Sequence, residues 1–151
     1  MRSKVLRRLL PLAGAVLVLV ASAQPAAAVS AIQFGRIQYD SPGTDNRTNS
    51  SLNGEYVVLR NHGSHGFNMK GYTLRDAASH VYTFTSNFVL GAGKSVTVHT
   101  GKGTNTSTHR YWGSGNYIWN NTGDHAYLRS ARGTTLDTCV WTAKGAGYKN
   151  C

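Results

Sequence analysis

From Ala31 onward the apolar residues of this chain come in short runs cut repeatedly by Gly, Asn, Asp and Ser. That punctuation is the strongest constraint on the fold. A helix needs an apolar period near 3.6 residues held over roughly ten positions, whereas short alternating runs bounded by turn residues suit strands. Ile32 and Phe34 share one parity and Ile37 and Tyr39 the other, which predicts a bulge at Gly35. Asp40-Ser41-Pro42-Gly43 ends that strand, and the polar stretch from Thr44 to Asn53 is expected to be a long loop. Glu55 to Asn61 forms the next strand, entered through an Asn53-Gly54 turn. Further strands are expected at Phe67–Met69, Tyr72–Leu74, Val81–Phe84 and Phe88–Leu90. Ser95 to Thr100 alternates cleanly, so Val96 and Val98 face the core. A Gly-, Thr- and Asn-rich loop runs from Gly101 to His109, and Ala126–Ser130 with Leu136–Trp141 closes the chain as a strand pair around Gly133. With no heptad, amphipathic helix or repeat, the fold class is all-β, a sandwich or barrel.

The segment ahead of these strands has a different character. Arg2, Lys4, Arg7 and Arg8 precede an uncharged apolar run from Leu9 to Ala21, and a small-residue tail follows. This is the layout of an export signal. Of the two small-x-small sites, Ala21-Ser22-Ala23 and Ala26-Ala27-Ala28, the second is preferred because Val29 then opens the first strand-like segment. Residues 1–28 are therefore expected to be a cleaved signal peptide and 29–151 the mature domain. Removal takes four basic residues away, so the formal charge falls from +10 over 151 residues to +6 over 123. The apolar run is shorter than the ~20 residues that span a bilayer, so no membrane span is expected in the mature form. Its length suits one domain, and a second catalytic domain has no room.

Cys139 and Cys151 are the two cysteines, both in the last strand-and-tail segment of a chain expected to be secreted and extracellular. They are expected to pair and to staple the tail to the final strand. Their spacing is not that of a C-x-x-C redox motif.

Several segments together resemble the lamin-tail domain family: Asn53-Gly54-Glu55-Tyr56-Val57-Val58-Leu59-Arg60-Asn61, Gly71-Tyr72-Thr73-Leu74-Arg75-Asp76 and His80-Val81-Tyr82-Thr83-Phe84. The resemblance continues through Leu90, Gly93, Ser95, Val96 and Val98, then Trp119-Asn120-Asn121, Gly123, Asp124, Ala126 and Leu128, and ends with Gly133, Asp137 and Trp141. It covers nearly all of the mature chain. It implies an immunoglobulin-like β-sandwich without a shared catalytic constellation, hence a binding or structural module rather than an enzyme. The rod that accompanies this domain in nuclear lamins is not visible here, so filament assembly does not carry over.

The six acids, Asp40, Asp45, Glu55, Asp76, Asp124 and Asp137, each lie beside a turn or strand end, where carboxylates usually brace backbone amides. Nothing in their spacing indicates a glycosidase pair, and no G-x-S-x-G elbow is present. His62-x-x-His65 supplies two imidazoles for zinc but no third ligand, while loop or strand roles account for His80, His99, His109 and His125. Asp40, Asp45 and Glu55 offer oxygens to calcium without the ordered spacing of a known loop, and a braced Pro-Gly turn explains them better. No metal or cofactor is expected.

The segment from Tyr111 to Asn121 interleaves aromatics with Gly and Asn, which suits stacking on sugar rings or bases. Trp119 holds a framework position and is assigned to the core. Tyr111, Trp112 and Tyr117 are the candidate ligand-binding aromatics, with Arg110 and Arg129 as cationic partners. Brought together by folding, Arg110, Arg129, Arg132 and Lys144 would form a patch for a polyanion. The expected function is binding of a cell-surface or extracellular polymer, glycan or polyanion; nucleic acid is the alternative, and a small hydrolase a remote third.

Overall fold

The structure is a computed structural model that describes residues 29–151. The export signal assigned to residues 1–28 lies outside the described residues. In chain order the elements are β1 (Ile32–Gln38), α1 (Asn49–Gly54), β2 (Tyr56–Asn61), β3 (Phe67–Asn68), β4 (Thr73–Arg75) and β5 (Val81–Thr83). There follow β6 (Val89–Leu90), β7 (Ser95–His99), β8 (His109–Tyr111), β9 (Asp124–Arg129), β10 (Thr135–Trp141) and β11 (Tyr148–Asn150). A five-stranded sheet in the order β11-β1-β2-β7-β8 faces a four-stranded sheet in the order β10-β9-β4-β5, and β3 and β6 form a small ribbon. This is the all-β, immunoglobulin-like sandwich that the resemblance implies.

Alternation along each strand builds the core. Ile32, Phe34 and Ile37, then Val57 and Leu59, then Val96 and Val98 point inward from one sheet. Leu74, Tyr82, Ala126, Leu128, Cys139 and Trp141 meet them from the other. The β1–β2 register shifts between Phe34 and Ile37, so the extra residue at Gly35 restores inward facing after the parity change. Among the described residues no helix is long and apolar enough to cross a membrane.

Three segments differ from the sequence reading, one of them His109–Tyr111, where the end of an expected loop and the start of the aromatic segment form the strand β8. The stretch from Thr44 to Asn53, expected to be loop, contains α1. Thr48 caps it, its side chain accepting from the Ser51 amide, and Leu52 is its one buried residue. The hydroxyl cap holds a single turn whose apolar content is too low to leave a periodic trace. The C-terminal tail is also more than a tail. It forms β11, which pairs with β1 through Arg36↔Asn150, Ile37↔Lys149 and Gln38↔Tyr148. The disulfide between Cys139 and Cys151 exists, and because Cys139 lies in β10 while Cys151 follows β11, it links the two sheets across one edge of the sandwich.

Candidate binding site along the open edge

Among the described residues the opposite edge has no such link. There β8, paired parallel to β7, ends the five-stranded sheet and β5 ends the four-stranded one. A cleft of about 360 Å³ opens between them, lined by Val81, Tyr82, Thr83 and Thr85 on one side and Asn105, Tyr111 and Trp112 on the other. A second cleft of about 300 Å³ is lined by Val89, Leu90, Gly91, Lys94, Ser95, Ser107 and Thr108. The chain from Asn105 to Trp112 thus borders both, and Arg110 falls between the Thr108 and Trp112 ends.

Strand parity decides what β8 presents. His109 and Tyr111 project onto the outer face of the five-stranded sheet. The Tyr111 ring stacks on His99 with centroids 5.1 Å apart, and Gly103 lies so close over it that a Cβ there would collide with the ring. His99 Nδ1 lies 2.9 Å from the Asn53 carbonyl and must be the protonated nitrogen, so Nε2 accepts from His109 Nδ1 at 3.0 Å. Burial pulls the His99 pKa down, against the smaller opposing effect of the Asn53 bond.

Arg110 and Trp112 project the other way, into the sandwich opening. Trp112 meets Trp119 edge to face at 5.9 Å and Tyr82 at 5.7 Å. The Arg110 guanidinium lies 4.0 Å over the Phe88 ring, and its Nε is buried without a hydrogen-bond partner. Burial pushes the Tyr82 phenol pKa up, partly offset by the Arg110 charge.

The outer edge of β8 is closed. The Tyr111 amide donates to Asn105 Oδ1, the His109 amide donates to Thr106 Oγ1, and the Thr106 amide donates to the His109 carbonyl. These bonds occupy the groups that an added strand would need.

The structure therefore gathers Arg110, Tyr111 and Trp112 along one edge, but not the other candidates. Tyr117 is tied by its hydroxyl to that of Ser51, 2.6 Å away beside α1. Arg129 lies on the outer face of the four-stranded sheet, 5.6 Å over Tyr127. Lys144 pairs with Asp40 at 3.0 Å near the disulfide edge, so it joins no patch with Arg110. Tyr82, Thr83 and Thr85 were missed as cleft residues because their segment reads as a core strand. Its alternation, with Tyr82 and Phe84 buried and Thr83 and Thr85 exposed, was the available signal.

The carboxylates mostly brace the fold. Asp76 accepts from the His80 amide and lies 2.6 Å from its ring, which makes His80 a turn residue rather than a strand one. Asp124 accepts from the Ala77, Asn120 and His125 amides, and Asp137 from those of Phe34 and Thr138. Asp40 and Asp45 share the Asn121 side-chain amide. Glu55 is the exception in degree. It is fully buried, accepts from the Thr100 hydroxyl and the Ile118 amide through Oε1, and leaves Oε2 without a partner. Burial pushes its pKa up to about 7 despite those bonds. Among the described residues no group of three or more His, Cys, Asp or Glu converges as a metal site.

Residues 25–143 match the family profile described as Lamin Tail Domain. No curated protein matches the chain.

Proposed function

The chain belongs to the lamin tail domain family, whose members are generally non-catalytic immunoglobulin-like modules, and from that premise we propose that it is an exported binding module for an extracellular glycan polymer. The ligand is taken at the open edge. One observation carries the reading: the half-buried Trp112 ring, packed against the largely buried Tyr82 ring at 5.7 Å between centroids, lines a cleft together with Thr83, Thr85 and Asn105. A sugar ring has an apolar C–H face and a rim of hydroxyls. Aromatic walls cover the first and neutral hydrogen-bonding groups meet the second. No carboxylate or imidazole lines the cleft, so its lining holds no such group to activate a hydroxyl as a nucleophile.

The test is retention of the purified protein on insoluble cell-wall polysaccharide. Trp112→Ala is expected to weaken retention about tenfold or more, a typical cost for truncating a central aromatic anchor, while circular dichroism stays unchanged. No retention on any wall polysaccharide at low salt, or undiminished retention by a folded Trp112→Ala protein, overturns the proposal.

A further inference from the structure

We infer that the polymer is an acidic glycan, with Arg110 and Lys94 receiving its carboxylate or phosphate groups while Trp112 and Tyr82 hold a sugar ring. This rests on the open-edge reading above and adds the ligand's charge and its path along β8. An unpartnered Nε alone does not single out Arg110, because Arg36 and Arg129 share that feature. Placement does. Arg36 donates to the Gln38 side chain at 2.9 Å on the outer face of its sheet, whereas Arg110 stands in the chain between Thr108, which lines one cleft, and Tyr111 and Trp112, which line the other. Among the described residues no hydrogen bond or ion pair engages its guanidinium.

The second cleft carries the same sign. Lys94 lines it with Ser95, Ser107 and Thr108, beside the apolar Val89 and Leu90, and no carboxylate is among its lining residues. The acids elsewhere are committed to backbone amides, to Asn121 and Lys144, or, for Glu55, to the core. Cations without counter-charges beside polar hydroxyls favour an anionic guest. From Thr108 to Trp112 an extended strand covers about 13 Å at roughly 3.3 Å per residue, longer than one sugar ring, so a polymer rather than a monosaccharide spans both clefts. The Asn105 and Thr106 bonds that close the β8 edge argue against an acidic peptide bound by strand addition.

Binding of the purified protein is compared on polygalacturonate, a phosphomannan, neutral xylan and single-stranded DNA, each at low and high salt. The expected result is salt-sensitive binding to one or both acidic polymers, and which of them binds separates carboxylate from phosphate. Arg110→Gln should weaken acidic binding about tenfold, Arg110→Lys should restore part of it, and Lys149→Gln in the exposed β11 at the opposite edge should leave it unchanged. Because Arg110 packs on Phe88, Lys94→Gln at an exposed position provides an independent arm and should also weaken acidic binding. Unchanged acidic binding in folded Arg110→Gln or in Lys94→Gln overturns the inference, as does DNA bound as tightly as the acidic glycans. If only xylan binds, through Trp112, the charge assignment falls and the glycan reading stands. If no polymer binds, both fall.

Discussion

The two edges of this sandwich are built on opposite plans. At the β10–β11 edge the sheets are joined by the Cys139–Cys151 disulfide, by the Phe34 amide donating to Asp137 Oδ2 at 2.7 Å, and by Tyr39 stacked on Trp141 at 4.6 Å. The Tyr39 hydroxyl also donates to the Lys144 carbonyl at 2.7 Å. At the β5–β8 edge, among the described residues, no covalent or backbone link spans the gap, and amphipathic side chains pack there: Trp112 leaning on Trp119, and Arg110 laid over Phe88. The difference separates two tasks. A stitched edge holds the sheets in register, which lets the other edge remain a groove whose polar groups are not used up by the fold.

The sharpest way to break this contrast is to cut the stitched edge. Replacing both cysteines by Ser frees the tail, and the chain-entropy model puts the cost at roughly 3 kcal/mol for a closed loop of this order. Chemical denaturation of the double variant measures it. Ligand retention at the open edge, measured well below the melting temperature, should be unchanged. A matching loss of retention would show that the edges are not independent.

Glu55 tests how the open side is anchored, since it joins Thr100, just after β7, to the Ile118 amide in the segment that follows Trp112. Its folded pKa of about 7 exceeds the unfolded 4.5. The folded state therefore keeps the proton longer, and this stabilising contribution is complete below about pH 4.5 and lost as pH rises through 7. Glu55→Gln should be more stable than the parent above pH 7.5, by about 3 kcal/mol, and the difference should vanish near pH 4.5. The amide keeps the Oε1 acceptor and puts an N–H where the protonated acid has an equally unpartnered O–H. A difference independent of pH would mean that Glu55 is ionised in the folded protein.

Asp137 tests the stitched edge at the level of one hydrogen bond. Asp137→Ala leaves the Phe34 amide without its acceptor in the bulged part of β1, at a cost of about 1–2 kcal/mol. Denaturant midpoints of this variant in the wild-type and double-Ser backgrounds should add if the disulfide and the carboxylate act separately. Strong non-additivity would make them one unit.

The stitched edge was more legible in the sequence than the open one. Two cysteines in a chain with an export-like start imply a pair, and the Ile32/Phe34 to Ile37/Tyr39 parity change announces the bulge beside it. β11 was invisible because all three of its residues are exposed, so no burial pattern marks a strand that exists only by pairing with β1. At the open edge Tyr111 and Trp112 were identifiable as aromatics among glycines, but their partners come from β5, whose Val-Tyr-Thr pattern is that of any half-buried strand. Sequence periodicity reports which face of a strand is inward. It does not report which strands end the two sheets side by side, and that juxtaposition makes the cleft.

The smallest effect concerns the guard on β8. Removing the Asn105 amide by Asn105→Ala exposes one backbone N–H at the strand's free side, and water can replace the lost acceptor there. The stability cost should be about 0.5–1 kcal/mol, too little to distinguish it from other surface changes by denaturation alone. Hydrogen exchange at the Tyr111 amide is the better measurement: it should quicken, while the Trp112 amide, which donates inward to the His99 carbonyl at 2.8 Å, stays protected. If both amides quicken, Asn105 anchors the whole strand rather than its edge. If neither does, the loop from Gly101 to Thr108 holds its place over Tyr111 through other contacts, such as the bonds of Lys102 to Asn49 and Asn53. The open edge would then be shaped from the α1 side, by the segment whose polar sequence was least informative.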